Sequence, residues 1–189
     1  MLNIEQSLDR IESWLDKKGF VLCKSKKKTI EDEVDFERKV VFLSLRSSPI
    51  NQLYSLLHEC GHVIIRKRKD YKDKYKAYYT ISEQDMPPNM QSSVEEVEEE
   101  INAWREGENL CNKLSIDIDT DEYYKYAARW TMGYIVIAAI GNEHLLPTPK
   151  VLLDEEDTQE KKDIKVDICK VLDNAHDPCY YELIPKPEP

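Results

Sequence analysis

The chain has 189 residues, of which 41% are hydrophobic and 34% are charged. This length suits one compact domain, or a domain with a tail, and the apolar fraction is sufficient for a buried core. There are 37 acidic and 27 basic residues, which gives a net charge of −10. Such a balance argues against a general nucleic-acid-binding protein, because contact with phosphates needs a surplus of positive charge.

The cysteines and the apolar segments bear on the compartment. Five cysteines without a C-x-x-C pair favour reduced thiols over a disulfide framework. The first residues lack a basic region followed by an apolar one, and the most apolar stretch, residues 132–140, is much shorter than the roughly 18 residues of a membrane span. We therefore expect a cytoplasmic protein without a membrane partner.

The first predicted elements are a helix and a small sheet. Apolar residues repeat at helical spacing over residues 4–15, which predicts a helix capped by Asn3. Residues 20–23 and 39–45 are rich in β-branched and large apolar side chains and predict two strands, with a weaker, exposed strand over residues 29–36. Short strands in this arrangement favour a small antiparallel or mixed sheet.

Helical patterns dominate the rest of the first 140 residues. Ser48 stands directly before a proline and predicts the start of a helix over residues 49–66. Further helices are predicted over residues 93–114 and about 120–140. The intervening residues 67–92 are basic and rich in tyrosine, and we expect a functional or disordered connection there.

These elements predict an α+β fold in which the small sheet packs against a helical core. We expect one domain over residues 1–146. Residues 147–189 begin and end with prolines and are acidic between them, which predicts a loosely attached segment with a disordered end.

An H-E-x-x-H motif, His-Glu-Cys-Gly-His, occupies residues 58–62 of a predicted helix. Because His58 and His62 lie one turn apart on the same face, both imidazoles can bind one metal ion. Glu59 is then free to act as a base towards a water molecule activated by that ion. Cys60 points away from this face and is predicted to pack in the core. The motif therefore predicts a Zn²⁺-dependent peptidase.

A catalytic zinc site needs a third protein ligand, and the glutamates within residues 95–100 are the candidates. Helical geometry places Glu100 beside Ala103 and Gly107, two small residues that would allow a close approach to the motif helix. Glu96 lies one turn earlier on the same side. We expect Glu100 to be the ligand. The remaining glutamates of the run are expected to form a solvated face: Glu95, Glu98 and Glu99.

Two segments resemble the ImmA/IrrE-type metallopeptidases, a gluzincin-like family common on phages and other mobile elements. They are LLHECGHVI at residues 56–64 and EINAW at residues 100–104, the second similar to the family's Glu-Ala-Asn-x-aromatic helix. The resemblance covers about residues 35–135. It implies a small sheet packed on helices, in agreement with the predicted elements.

The same resemblance implies the roles of four residues. His58, His62 and Glu100 match the metal ligands of the family, and Glu59 matches its catalytic glutamate. Characterised members cleave DNA-binding repressor proteins, so the implied partner is a protein substrate of that kind. No helix-turn-helix is evident in this chain, which would make any such repressor a separate protein. Ile101 departs from the family's usual alanine.

Other features bear on how a substrate would be held. His144 and the tyrosines within residues 71–79 are candidates for stabilising the oxyanion. The strand over residues 39–45 could bind an extended substrate through a free edge. The basic residues 66–76 follow the motif helix directly and could border the cleft, where they would favour acidic substrate segments.

The alternative function is a catalytically silent, phage-type interaction protein that retains the fold and acts by binding. It would use the acidic second half of the chain or the basic residues 66–76. The presence of Glu59 disfavours this alternative, because a purely structural metal site does not need a glutamate at that position.

Overall fold

A computed structural model describes residues 3–84 and 89–140 of the chain. The described residues form six helices and three strands, an α+β arrangement that confirms the predicted fold class. In chain order these elements are α1 (Ile4–Lys17), β1 (Val21–Ser25), β2 (Glu33–Asp35), β3 (Val40–Ser44), α2 (Pro49–Arg66), α3 (Tyr71–Lys74), α4 (Lys76–Gln84), α5 (Met90–Leu114) and α6 (Thr120–Ile140). The predicted boundary at residue 146, the segment 147–189 and His144 lie outside the described residues.

The predicted helix starts are confirmed by their caps. The side chain of Asn3 accepts a hydrogen bond from the backbone N–H of Gln6, and the Gln6 side chain accepts one from the backbone N–H of Asn3. At the start of α2, the Ser48 hydroxyl accepts a hydrogen bond from the Asn51 backbone N–H. These bonds satisfy amide groups that the helix itself leaves without acceptors.

The sheet is mixed, with strand order β1-β3-β2. β3 runs parallel to β1 and antiparallel to β2, so both of its edges are occupied. The expectation that the strand over residues 39–45 offers a free edge is therefore wrong. The reason is that β1 pairs with one edge of β3 and β2 pairs with the opposite edge.

The segment predicted as a connection, residues 67–92, contains two helices, α3 and α4, and the first residues of α5. Tyr71 and Tyr75 are 4% and 1% exposed and pack with Ile65 and Ala103 in a second apolar cluster. Tyrosine carries a large apolar ring, so tyrosines spaced four residues apart can bury a helical face although the sequence looks polar. The expectation of a disordered connection is therefore wrong for the described residues of this segment.

Helix α2 lies at the centre of the domain. Leu56, Leu57, Cys60 and Val63 are completely buried in the main core, which confirms that Cys60 is a packing residue. The same core includes buried side chains of α1, the sheet, α5 and α6. None of the helices in the described part of the chain is both long enough and apolar enough to cross a membrane.

Candidate metal centre

Helices α2 and α5 bring together the three residues expected to bind a metal. His58 and His62 extend from one face of α2, and Glu100 reaches the same point from α5. Each offers one ligand atom, and these atoms lie within 4.8 Å of one another. Glu100 is buried, with 7% of its surface exposed. The choice of Glu100 within the glutamate run thus agrees with the geometry.

The distances between the ligand atoms suit a small tetrahedral ion. The two histidine Nε2 atoms are 3.0 Å apart. Glu100 Oε2 lies 3.2 Å from His58 Nε2, and Glu100 Oε1 lies 3.5 Å from His62 Nε2. Tetrahedral zinc with bonds of about 2.0–2.1 Å requires neighbouring ligand atoms to be about 3.3 Å apart. Two imidazoles and one carboxylate at these separations could hold a metal ion of this kind.

Small residues allow the two helices to come this close. A Cβ atom added to Gly61 would overlap the carbonyl oxygen of Ala103 on α5. A Cβ atom added to Gly107 would lie 2.7 Å from the carbonyl oxygen of Leu57 on α2. The two backbones thus approach closely at Gly61 and again at Gly107, which places Glu100 within reach of the histidines.

Glu59 is buried next to the ligand set, with 6% of its surface exposed. Burial raises the pKa of its carboxyl group to about 8, against the lowering influence of His62 and with further raising by Glu100, Asp32 and Glu33. A carboxyl group with a pKa near neutrality can both accept and return a proton. The positive charge of a bound metal ion would lower this pKa and favour the carboxylate form, which the predicted role of Glu59 as a base requires.

The two imidazoles are held in different ways. His58 stacks on the Trp104 ring, with centroids 4.1 Å apart and planes 20° apart, and its Nδ1 has no hydrogen-bond partner in the described part of the chain. His62 Nδ1 lies 3.3 Å from Glu99 Oε1. Burial lowers the pKa of His58. Burial also acts to lower the pKa of His62, but Glu100 and Glu99 outweigh it and raise that pKa to about 9.

The expectation that Glu95, Glu98 and Glu99 form a solvated face is largely wrong. Glu99 is only 2% exposed, and the Glu95 carboxylate accepts hydrogen bonds from the backbone N–H groups of Ala77 and Tyr78 at the start of α4. Glu98 alone of these three is exposed, and it pairs with a lysine of α3. The cause is the helical segment α3–α4, which covers this side of α5 where the sequence predicted a connection.

A cavity of about 220 Å³ opens onto the ligand set and contains residues that the sequence did not identify. One wall is formed by residues 32–34 and Phe36, within and beside the edge strand β2. Tyr78 of α4 and Tyr134 of α6 complete the lining. Tyr78 belongs to the tyrosine segment proposed for oxyanion stabilisation, whereas no local pattern points to residues 32–34 or Tyr134.

The charge of this cavity differs from the expectation of a basic border. Arg66 is the one basic residue of the segment 66–76 that lines it. Arg68 pairs with Glu106 and Lys74 pairs with Glu98, outside the cavity. Carboxylates predominate among the lining residues, so the described cavity by itself gives no preference for acidic substrate segments.

The two tyrosines of the lining keep their hydroxyl protons at neutral pH. Burial raises the pKa of Tyr78, and Glu99 adds to this effect. Burial likewise raises the pKa of Tyr134, with further raising by Glu100 and Glu59. Both phenols are therefore available as hydrogen-bond donors beside the ligand set.

Comparison with known proteins yields one family. The sequence model of the IrrE N-terminal-like domain, peptidase family M78, matches residues 16–166. Comparisons with curated proteins and with solved structures gave no match. The matched region contains the whole ligand set and all the elements that hold it. Because this model matches most of its length, the chain belongs to the IrrE N-terminal-like family of M78 peptidases.

Proposed function

We propose that the protein is a zinc-dependent metallopeptidase that cleaves a protein substrate. The observation that carries this proposal is the convergence of His58, His62 and Glu100 in one cavity with the buried carboxyl group of Glu59. A structural zinc site has four protein ligands, whereas a catalytic one keeps a position open to the cavity. Three ligands in an accessible cavity favour the catalytic kind.

Zinc, when bound, would lower the pKa of a water molecule and polarise the scissile carbonyl group. Glu59 takes a proton from the attacking water as the new carbon–oxygen bond forms. It then donates that proton to the amine nitrogen as the carbon–nitrogen bond breaks, so the carboxylate is regenerated. Its burial beside the ligand set supports this double role.

Tyr78 and Tyr134 are proposed to stabilise the developing oxyanion. Both line the cavity, and both retain a proton to donate. Hydrogen-bond donors placed where charge develops in the transition state lower the barrier more than donors to the substrate itself. The two phenols come from different helices and share the cavity with Glu59.

The proposed substrate is an extended segment of a regulatory DNA-binding protein. The family resemblance supports the class of substrate, and β2 supports the extended conformation. This strand lies at the edge of the described sheet and adjoins the cavity through residues 32–34. A peptide that pairs with such an edge is held through its backbone, which makes few demands on its sequence. A cytoplasmic location follows as part of the same proposal.

The test compares Glu59→Gln with Glu98→Gln, a control on an exposed side chain. The first variant should fold, bind about one zinc ion and lose all cleavage, whereas the control should cleave like the wild type. The readout is zinc content together with a proteomic search in cells for fragments that depend on Glu59. Full biological activity in Glu59→Gln would refute the peptidase and leave the non-catalytic binding protein as the function.

A further inference from the structure

Glu99 and Glu100 are neighbours on α5, yet they reach opposite sides of the same imidazole. Glu100 Oε1 lies on the Nε2 side of His62, at 3.5 Å, with the other ligand atoms. Glu99 Oε1 lies on the Nδ1 side, at 3.3 Å. A carboxylate can only accept, so Nδ1 must carry the proton in this contact. With Nδ1 protonated, a metal ion that displaces the proton of Nε2 binds through that nitrogen.

We propose that Glu99, held by Tyr71, is a positioning residue that fixes His62 as an Nε2 ligand of the metal ion. This inference rests on the proposed metal site and extends it to residues that do not touch the metal. A hydrogen bond to the second ring nitrogen sets both the tautomer and the orientation of a ligating imidazole.

Tyr71 provides the second contact of the Glu99 carboxylate. Its hydroxyl donates to Glu99 Oε1 at 3.4 Å, and the residue is 4% exposed. The guanidinium of Arg66 lies 5.7 Å from the centre of the Tyr71 ring, which helps to hold the ring in place. A carboxylate that is 2% exposed is costly unless hydrogen bonds compensate for its lost hydration, and Tyr71 and His62 supply two.

His58 shows that this support is specific to one of the two ligands. Its ring is oriented by the stack on Trp104, and its Nδ1 has no partner within the described residues. The carboxylate contact is therefore not a general feature of histidines in this cavity. Removing the Glu99 contact should alter the orientation of the His62 ring and leave the His58 ring stacked on Trp104.

The first experiment measures zinc affinity by competition with a chromophoric chelator in Glu99→Gln, Tyr71→Phe and Glu98→Gln. Glu99→Gln removes the negative charge that supports the Nδ1 proton and should weaken zinc binding by about 10–100-fold, the usual effect of altering such a supporting partner. Tyr71→Phe should cause a smaller loss. Glu98→Gln, on the adjacent exposed side chain, should stay within about twofold of the wild type. In Glu99→Gln loaded with Co²⁺, the visible absorption bands should also shift, because the geometry around His62 changes.

A measurement on the wild type covers the case in which a variant does not fold. Long-range ¹H–¹⁵N spectra of the zinc-loaded protein should show a proton on His62 Nδ1 and none on Nε2. Coordination through Nδ1 would overturn the inference, as would a folded Glu99→Gln with wild-type zinc affinity and an unchanged Co²⁺ spectrum. A wild type that binds no zinc would refute the proposed function as well, so the two failures are distinguishable.

Discussion

The contact between Gly61 and Ala103 leads to a prediction that opposes intrinsic helix propensity. Alanine is more favourable than glycine inside a helix by about 1 kcal/mol, so Gly61→Ala would stabilise an isolated α2. In the folded protein the added Cβ would lie 2.6 Å from the carbonyl carbon and 2.8 Å from the Cα of Ala103. Carbon atoms in favourable contact are about 3.5–4.0 Å apart. Because backbone atoms cannot rotate away, α5 must move by about 1 Å.

The expected result follows from this displacement. Overpacking of a tight core costs about 1–3 kcal/mol, and a clash with backbone lies at the upper end of that range or beyond it. After the gain in helix propensity, we expect a net loss of about 2 kcal/mol. For a chain of this size, that loss lowers Tm by about 4–8 °C. Glu100 moves away from His58 and His62 at the same time, and each 1.4 kcal/mol of lost binding free energy weakens zinc affinity tenfold.

Thermal unfolding of the metal-free protein and chelator competition for zinc would measure the two effects separately. Gly19→Ala is the matched control, because Gly19 has a φ of 79° and open space around the added Cβ. It should cost about 1–2 kcal/mol through backbone strain and leave zinc affinity unchanged. If Gly61→Ala has a Tm equal to or above that of the wild type and binds zinc equally well, α2 and α5 do not approach each other this closely in the protein.

Three further results are expected. Chelation of zinc should lower the Tm of the wild type but not that of His62→Ala, because free zinc at 100 times its Kd contributes about 2.7 kcal/mol to stability. Equal shifts of Tm in both proteins would contradict the assigned site. Trp104→Leu should destabilise the fold by about 3 kcal/mol in urea unfolding. It should also weaken zinc binding, because the His58 ring loses the indole on which it stacks. Unaltered zinc affinity would argue against that stack. Glu95→Ala removes the acceptor at the start of α4 and should cost about 1 kcal/mol. Hydrogen exchange should accelerate in α4 more than in α2, and uniform exchange would show that Glu95 does not anchor this helix.

The convergence of the two histidines was predictable because its geometry is local. Once residues 49–66 form a helix, the spacing of His58 and His62 alone places both imidazoles on one face. Glu100 required one step more, which came from the small residues Ala103 and Gly107. A small side chain at helical spacing from a candidate ligand indicates a face that contacts another backbone, and the structure shows this contact.

Glu99 and the cavity wall were not predictable because they depend on segments distant in the chain. The burial of Glu99 is produced by α3 and α4, whose basic, tyrosine-rich sequence lacks the apolar periodicity of a helix. The position of residues 32–34 at the cavity depends on β2 pairing with the far side of β3. Strand order in a sheet of short strands is set by packing against helices, which no local pattern encodes.

The Gly61–Ala103 contact also determines which carboxylate becomes functional. The glutamates from Glu95 to Glu100 are chemically alike, and a shift of α5 by one residue along α2 would offer a different one to the histidines. The backbone of Ala103 occupies the space that a side chain at position 61 would need, so the two helices meet in this register only because residue 61 is glycine. The backbone contact therefore fixes how α5 is aligned along α2. This alignment determines which glutamate faces the histidines, although the contact itself lies about one helical turn from Glu100.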